Sequence, residues 1–203
     1  MAITLLNRKE SVILTAIEII DGRGIQGLST REIARRQGIS EGTLFRHFRT
    51  KNDIILAVLD YFSQYDSDIF HSVELKGLPA REAILFFVDS YVTYYENYPA
   101  ITAMTQIFDV LSRESDFAAK VSGILADRLN FLRRTISAGQ KTGEISPAVD
   151  SEALADMITG TCTAICLRWR MNNCGFALRE KTLSALRMIL KAFGPQGAKE
   201  EGE

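Results

Sequence analysis

The sequence predicts an all-α protein of about nine helices, four short ones in front and five longer ones behind. Three observations predict it. Apolar residues recur at three-and-four spacing along the chain, and strong two-residue alternation is absent. Only four prolines interrupt it, and glycine-containing stops separate the periodic segments. Apolar residues make up 46% of the 203, enough for one large domain or a small domain joined to a larger one.

The elements follow in order. Val12, Ile13, Ala16, Ile19 and Ile20 form one helical face, and GRGIQG stops that helix. Ser29 is placed to cap the next, with Glu32 three residues on as a capping box. That helix runs to Gln37, and Gly38 supplies the left-handed residue that ends it. Ser40 caps a third helix through Phe48. Thr50, with Asp53 at the third position, caps a fourth that reaches about His71. After GLP at 77–79 the helices lengthen. Residues 80–97 carry a stripe of Ile84, Phe87, Val88, Tyr91 and Tyr95. A shorter helix covers 100–112, and a long one covers 116–141 and closes at KTGEISP. The last two cover 150–172, ended by NNCG, and 177–193, ended by FGP. The segment GAKEEGE, 197–203, reads as a disordered tail.

Composition excludes several classes. Net charge is −1, so a nucleic-acid site must be a local patch. Residues 1–60 hold nine Lys/Arg against seven Asp/Glu, and the remainder holds 15 against 18, so the small positive excess lies in front. The longest purely apolar run in the body, AILFFV, is far short of the roughly 20 residues a membrane span needs. Cys162, Cys166 and Cys174, an odd number with no secretory signal, point to a reducing cytoplasm. With only His47 and His71, no metal site is supported. No catalytic residue, no enzyme activity and no cofactor is expected: there is no paired catalytic carboxylate, nucleophile with a base, or phosphate-loop motif.

Two short helices joined by Gly38, Ile39 and Ser40 make a helix-turn-helix. Gly38 bends the chain, Ile39 plugs the gap, and Ala34 permits a close crossing. Leu44 and Phe48 point inward. Glu41, Thr43, Phe45, Arg46 and His47 are left turned partly or wholly outward, as a major-groove helix requires. The stretch LTAIEIIDGRGIQGLSTREIARRQGISEGTLFRHFRTKNDIILAV, with several motifs in order, resembles the DNA-binding domain of the TetR family of bacterial transcriptional regulators.

That resemblance implies a three-helix head over 1–50, a connecting helix over 51–71, and a helical domain over 72–196 that binds a small effector and dimerises through its last two long helices. Thr43 and Arg46 stand where the family reads bases. Arg46 suits a bidentate pair with guanine or a phosphate contact, and Thr43 suits a base edge or a capping bond with Ser40. Thr30, Ser40, His47 and Lys51 match positions that touch phosphates in relatives. Glu41 departs from a common Lys; it serves either a cytosine amine or the helix dipole. Phe45 departs from a common Tyr and keeps the ring without the hydroxyl.

The same resemblance implies a pocket, placed at Phe87, Tyr91, Tyr94, Tyr95, Met104, Phe108, Phe131, Cys162 and Cys166. The plain alternative is a packed core, with the two cysteines as small buried hydrophobes. Trp169 and Arg168 are assigned to packing. Leu154, Met157, Ile158, Thr161 and Ile165, with Leu183, Leu186, Leu190 and Phe193, trace two stripes suited to a four-helix interface with a second copy. The expected partners are therefore a double-stranded, near-palindromic DNA operator, a second copy of the chain and a small apolar or aromatic effector, with no membrane. The expected role is a repressor released by that effector. The alternative keeps the DNA head but replaces the effector with a DNA-organising role or a protein partner.

Overall fold

A computed structural model describes residues 8–194; the tail expected at 197–203 lies outside the described residues. Among the described residues there are nine α-helices and two 3-10 turns. The chain divides into two compact units, one formed by residues up to Tyr65 with Tyr98–Ile124, the other by Asp66–Asn97 with the residues from Leu125 onward.

The first unit holds α1 (Arg8–Arg23), a 3-10 turn (Ile25–Gly27), α2 (Thr30–Gln37), α3 (Glu41–Phe45) and the front of α4 (Lys51–Lys76). It also holds a second 3-10 turn (Pro99–Thr102), α6 (Ala103–Ser112) and the front of α7 (Ser115–Thr142). Helix α1 packs on α2 and also on α6 and the Pro99–Thr102 turn. Its face is apolar on several sides: Val12, Ala16, Ile17, Ile19 and Ile20 are all buried. Two short helices cannot cover that much surface, so residues 98–124 complete this core. The domain expected over 72–196 is therefore divided. Phe62 and Phe108 meet edge to face here, ring centroids 5.6 Å apart.

The second unit holds the rest of α4 and α7 with α5 (Ala80–Asn97), α8 (Ser151–Met171) and α9 (Leu178–Ala192). Helix α9 packs on both α5 and α8. Gly139 lets α7 pass close to α5: a Cβ built there would sit 2.7 Å from the Ala80 Cβ. Just beyond α7, the Glu144 carboxylate accepts the Ala80 and Arg81 N–H groups, both at 3.1 Å, and caps α5.

Three expected boundaries move. Helix α3 ends at Phe45 rather than Phe48; His47 and Phe48 N–H still bond the Leu44 carbonyl as a turn that tucks Phe48 inward. Helix α4 continues past His71 to Lys76, since nothing in SVELK breaks a helix before Gly77, at φ 57°. The 100–112 helix starts as a 3-10 turn at Pro99, where the Thr102 hydroxyl donates to the Pro99 carbonyl at 2.6 Å, and becomes α-helical at Ala103.

The stripe expected at a partner interface is largely the chain's own seam. Leu154, Ile158, Ile165, Leu183, Leu186 and Leu190 are buried within the second unit. Thr161 and Phe193 are half-buried, and Met157 is exposed. The bulky aliphatics fill the contact of α9 with α8 and α5. The outward face of α8 carries Ala153, Met157, Gly160, Ala164, Leu167 and Met171, all exposed, at alternating spacings of four and three.

Candidate nucleic-acid interface and effector chamber

The reading head is built by local capping. Ser29 Oγ accepts the Glu32 N–H at 3.2 Å and starts α2. Gly38, at φ 64°, ends it: the Ile39 N–H bonds the Ala34 carbonyl at 3.0 Å, the closing bond of a Schellman cap. Ser40 Oγ then accepts the Thr43 N–H at 3.1 Å and starts α3. At the head of α4 the box is reciprocal, with Thr50 N–H donating to Asp53 and Asp53 N–H to Thr50 Oγ1.

The box expected of Ser29 and Glu32 is not reciprocal in this way. The Glu32 carboxylate turns to Arg35 (2.8 Å), Arg36 (2.9 Å) and Arg23 (3.4 Å). The Arg35 hydrogen bond, then that of Arg36, holds the carboxyl down at about 2. Gln37 fastens α2 to α1: its amide donates to Thr15 Oγ1 and the Ser11 carbonyl, and the Ser11 hydroxyl donates back to it at 2.9 Å.

The proposed DNA contacts all lie in this unit. Phe45 (45% exposed) and Arg46 face solvent from the end of α3 and the turn after it. Thr43, His47 and Lys51 are half-buried, and Lys51 opens α4. The Thr43 hydroxyl is shared with Ser40 Oγ at 3.0 Å. Thr30 Oγ1 donates to Glu41 Oε2 at 2.8 Å, so Glu41 is anchored to the start of α2. Thr30, a proposed phosphate ligand, thus has an intramolecular partner that sequence reasoning missed.

In the second unit the structure brings Phe87, Tyr91, Tyr95, Phe131 and Cys162 together and adds Phe70, Asp66 and Arg128. Phe70 stacks on Phe131 at 4.7 Å, and Phe87 lies 4.9 Å from Phe131 and 5.2 Å from Tyr91. Tyr94 is half-buried, 6.3 Å from Tyr95, and Cys166 is buried on α8. Met104 and Phe108 do not join this cluster; they belong to the core of the first unit. Arg128 forms a two-pronged pair with Asp66 (2.6 and 2.8 Å), donates to the Tyr95 hydroxyl at 3.1 Å, and places its guanidinium over the Tyr91 ring.

Burial works against the charge on Arg128, yet Tyr95 and Asp66 hold it protonated well above the ordinary value. Burial pushes the Tyr95 hydroxyl up to about 12 and Tyr91 well above its usual value. Burial pushes the Cys162 and Cys166 thiols up to about 11. Neither is a reactive thiolate. Arg128 and Asp66 were legible only as charged residues lodged in apolar stripes: Phe62, Asp66, Ile69, Val73 on α4, and Ile124, Arg128, Phe131 on α7.

Among the described residues no cluster of His, Cys, Asp or Glu could hold a metal, and no helix is long and apolar enough to cross a membrane. A family profile described as bacterial regulatory proteins, tetR family, matches residues 12–58, and one described as YsiA-like protein, C-terminal region, matches residues 67–192. The fatty acid metabolism regulator protein of Bacillus subtilis is 23% identical over 183 residues, 90% of this chain and 93% of its own. The nucleoid occlusion factor SlmA of Actinobacillus pleuropneumoniae is 22% identical over 167 residues, 82% of each chain. The solved structure of the Bacillus subtilis transcriptional regulator FadR in complex with stearoyl-CoA superposes with a TM-score of 0.77 at 23% identity, over 90% of this chain and 98% of its own.

Proposed function

Because the chain belongs to the TetR family of bacterial regulatory proteins, and so is a DNA-binding transcriptional regulator, we propose that it is a cytoplasmic repressor without enzymatic activity, released from a palindromic operator by a long-chain acyl thioester. The observation that carries the effector is the aromatic cluster of Phe70, Phe87, Tyr91 and Phe131 in the unit that matches the YsiA-like C-terminal region. Such a cluster suits an apolar chain, and a relative of the same fold binds stearoyl-CoA.

Thr30, Ser40, Glu41, Thr43, Phe45, Arg46, His47 and Lys51 form the DNA face. Arg46 and Thr43 read base edges, and Lys51 meets a phosphate at the positive end of α4. A second copy pairs through the outward face of α8, from Ala153 to Met171, where Gly160 and Ala164 permit close approach. Two-fold symmetry then sets two α3 helices about 34–36 Å apart, one turn of DNA. Helices α4 and α7 each contain residues of both units and are the elements able to carry the effector signal. The effector must bind the DNA-incompetent state more tightly, or nothing switches.

The test is selection of genomic DNA fragments by the purified protein at several salt concentrations, repeated with stearoyl-CoA. A shared palindrome released by micromolar stearoyl-CoA supports the reading. Likeness to a nucleoid occlusion factor favours a second reading, DNA binding without a small-molecule effector. Selected sites that no acyl thioester releases would decide for it.

A further inference from the structure

Two grooves flank α7 in the second unit. The first, about 420 Å³, is mostly apolar, with Val73, Leu78, Ala83 and Phe131 in its walls. The second, about 740 Å³, is polar. Ser67 and Phe70 of α4 form one side, and Asn130, Arg133, Arg134, Ser137 and Lys141 of α7 form the other. Arg134 and Ala138 belong to both, so the grooves adjoin. Phe70 of the polar groove stacks on Phe131 of the apolar one.

The charge of the polar groove is unusual for this chain. Three cations line it against one carboxylate, Asp127, although the whole chain carries −1. None of the three cations forms an ion pair among the described residues, and all three are exposed. Some arginines elsewhere are matched, as Arg35 and Arg36 are by Glu32 and Arg128 is by Asp66. Three unmatched cations at one concavity hold a positive potential that attracts anions. Guanidinium forks and an ammonium suit phosphate oxygens, and Ser137 and Asn130 add neutral donors. The volume lies within the roughly 300–1,000 Å³ of small-molecule sites.

We propose that the groove lined by Arg133, Arg134 and Lys141 holds the phosphate-bearing head of the effector, while its apolar tail passes Phe70 toward Phe131. This assignment rests on the acyl-thioester reading above. It adds that the protein selects the phosphate-bearing thioester over the free fatty acid, whose single carboxylate cannot engage three cations.

The test is calorimetric titration of stearoyl-CoA and of stearate into the full chain and into an Arg133→Gln/Arg134→Gln/Lys141→Gln variant. All three side chains are exposed, and operator binding by the variant reports that it is folded. The expected result is a stearoyl-CoA affinity lowered roughly 10- to 100-fold and less sensitive to salt, with stearate unchanged. Undiminished stearoyl-CoA affinity in the variant overturns the head-group site and leaves the acyl-thioester reading standing. Equal loss for both ligands also overturns it. If the unaltered chain binds its operator but not stearoyl-CoA, both readings fall together.

Discussion

Asp66 of α4 and Arg128 of α7 share two hydrogen bonds of 2.6 and 2.8 Å with side chains only 5% and 15% exposed. The guanidinium also donates to the Tyr95 hydroxyl, and the Tyr91 ring covers it. Removing one member of such a pair leaves an uncompensated charge in an apolar setting. Arg128→Met is expected to cost about 3–5 kcal/mol, read as a lowered urea midpoint. Asp66→Leu combined with Arg128→Met should recover most of that loss. A double variant no more stable than Arg128→Met would show that the guanidinium acts through Tyr91 and Tyr95 rather than through Asp66.

Glu41 is held by Thr30 at the junction of α2 and α3. A carboxylate there repels DNA phosphates and also pins the two helices together. Glu41→Gln keeps an acceptor for Thr30 and removes the charge, so DNA should bind more tightly with selectivity retained. Glu41→Lys should bind more tightly still but less selectively, with the log–log salt slope steeper by about one. Weaker binding by both variants would show that Glu41 makes a favourable base contact, such as one to a cytosine amine.

Arg46 and Lys51 separate by a different measurement. If Arg46 reads a guanine, Arg46→Ala costs about 1–3 kcal/mol at one base pair and relaxes the preference there. Lys51→Ala should weaken all sequences alike and flatten the salt slope by about one. Competition binding against single-base operator variants distinguishes the two. A uniform loss for Arg46→Ala would make it a phosphate contact.

The head was legible because its determinants are local. Ser29, Gly38, Ser40 and Thr50 each act on backbone within three or four residues, and each starts or ends the helix expected of it. What was not legible depends on distant partners. Glu32 sits at a capping-box spacing, but Arg23, Arg35 and Arg36 claim its carboxylate. Asp66 and Arg128 are 62 residues apart, and neither charge announces the other. The stripes on α8 and α9 gave an apolar face but not its destination. Periodicity reports burial, and a chain's own seam and a partner's surface leave the same pattern. Met104 and Phe108 stood in the pocket that the family resemblance implies, but their segment packs on α1 in the first unit.

Gly139 is required by contact rather than by conformation. A methyl group there would press on the Ala80 Cβ at 2.7 Å and on Ile145 at 3.1 Å. Both neighbours are buried and lie beside the Glu144 cap of α5, so neither yields cheaply. Gly139→Ala should therefore destabilise the fold by about 1–3 kcal/mol, although alanine is the better helix former. A variant with an unchanged or raised thermal midpoint would mean that α5 shifts freely.

Four buried acids tie the stability of the second unit to alkaline pH. The Cys162 and Cys166 thiols move from 9.0 to about 11 and the Tyr95 hydroxyl from 10.0 to about 12, with Tyr91 also raised, all chiefly through burial. In the folded chain these groups keep their protons where the unfolded chain has released them. The unfolded state then binds fewer protons, so stability falls as pH rises. Their contribution is fully present below about pH 9 and is lost progressively as pH climbs through 11 and 12. Urea midpoints measured from pH 8 to 11 should fall, and Cys162→Ala should flatten the lower part of that decline. At pH 8 a thiol reagent should modify Cys162 and Cys166 only on unfolding. Rapid modification of either in the native chain, with stability independent of pH over this range, would show that the cluster admits water and that these thiols ionise freely.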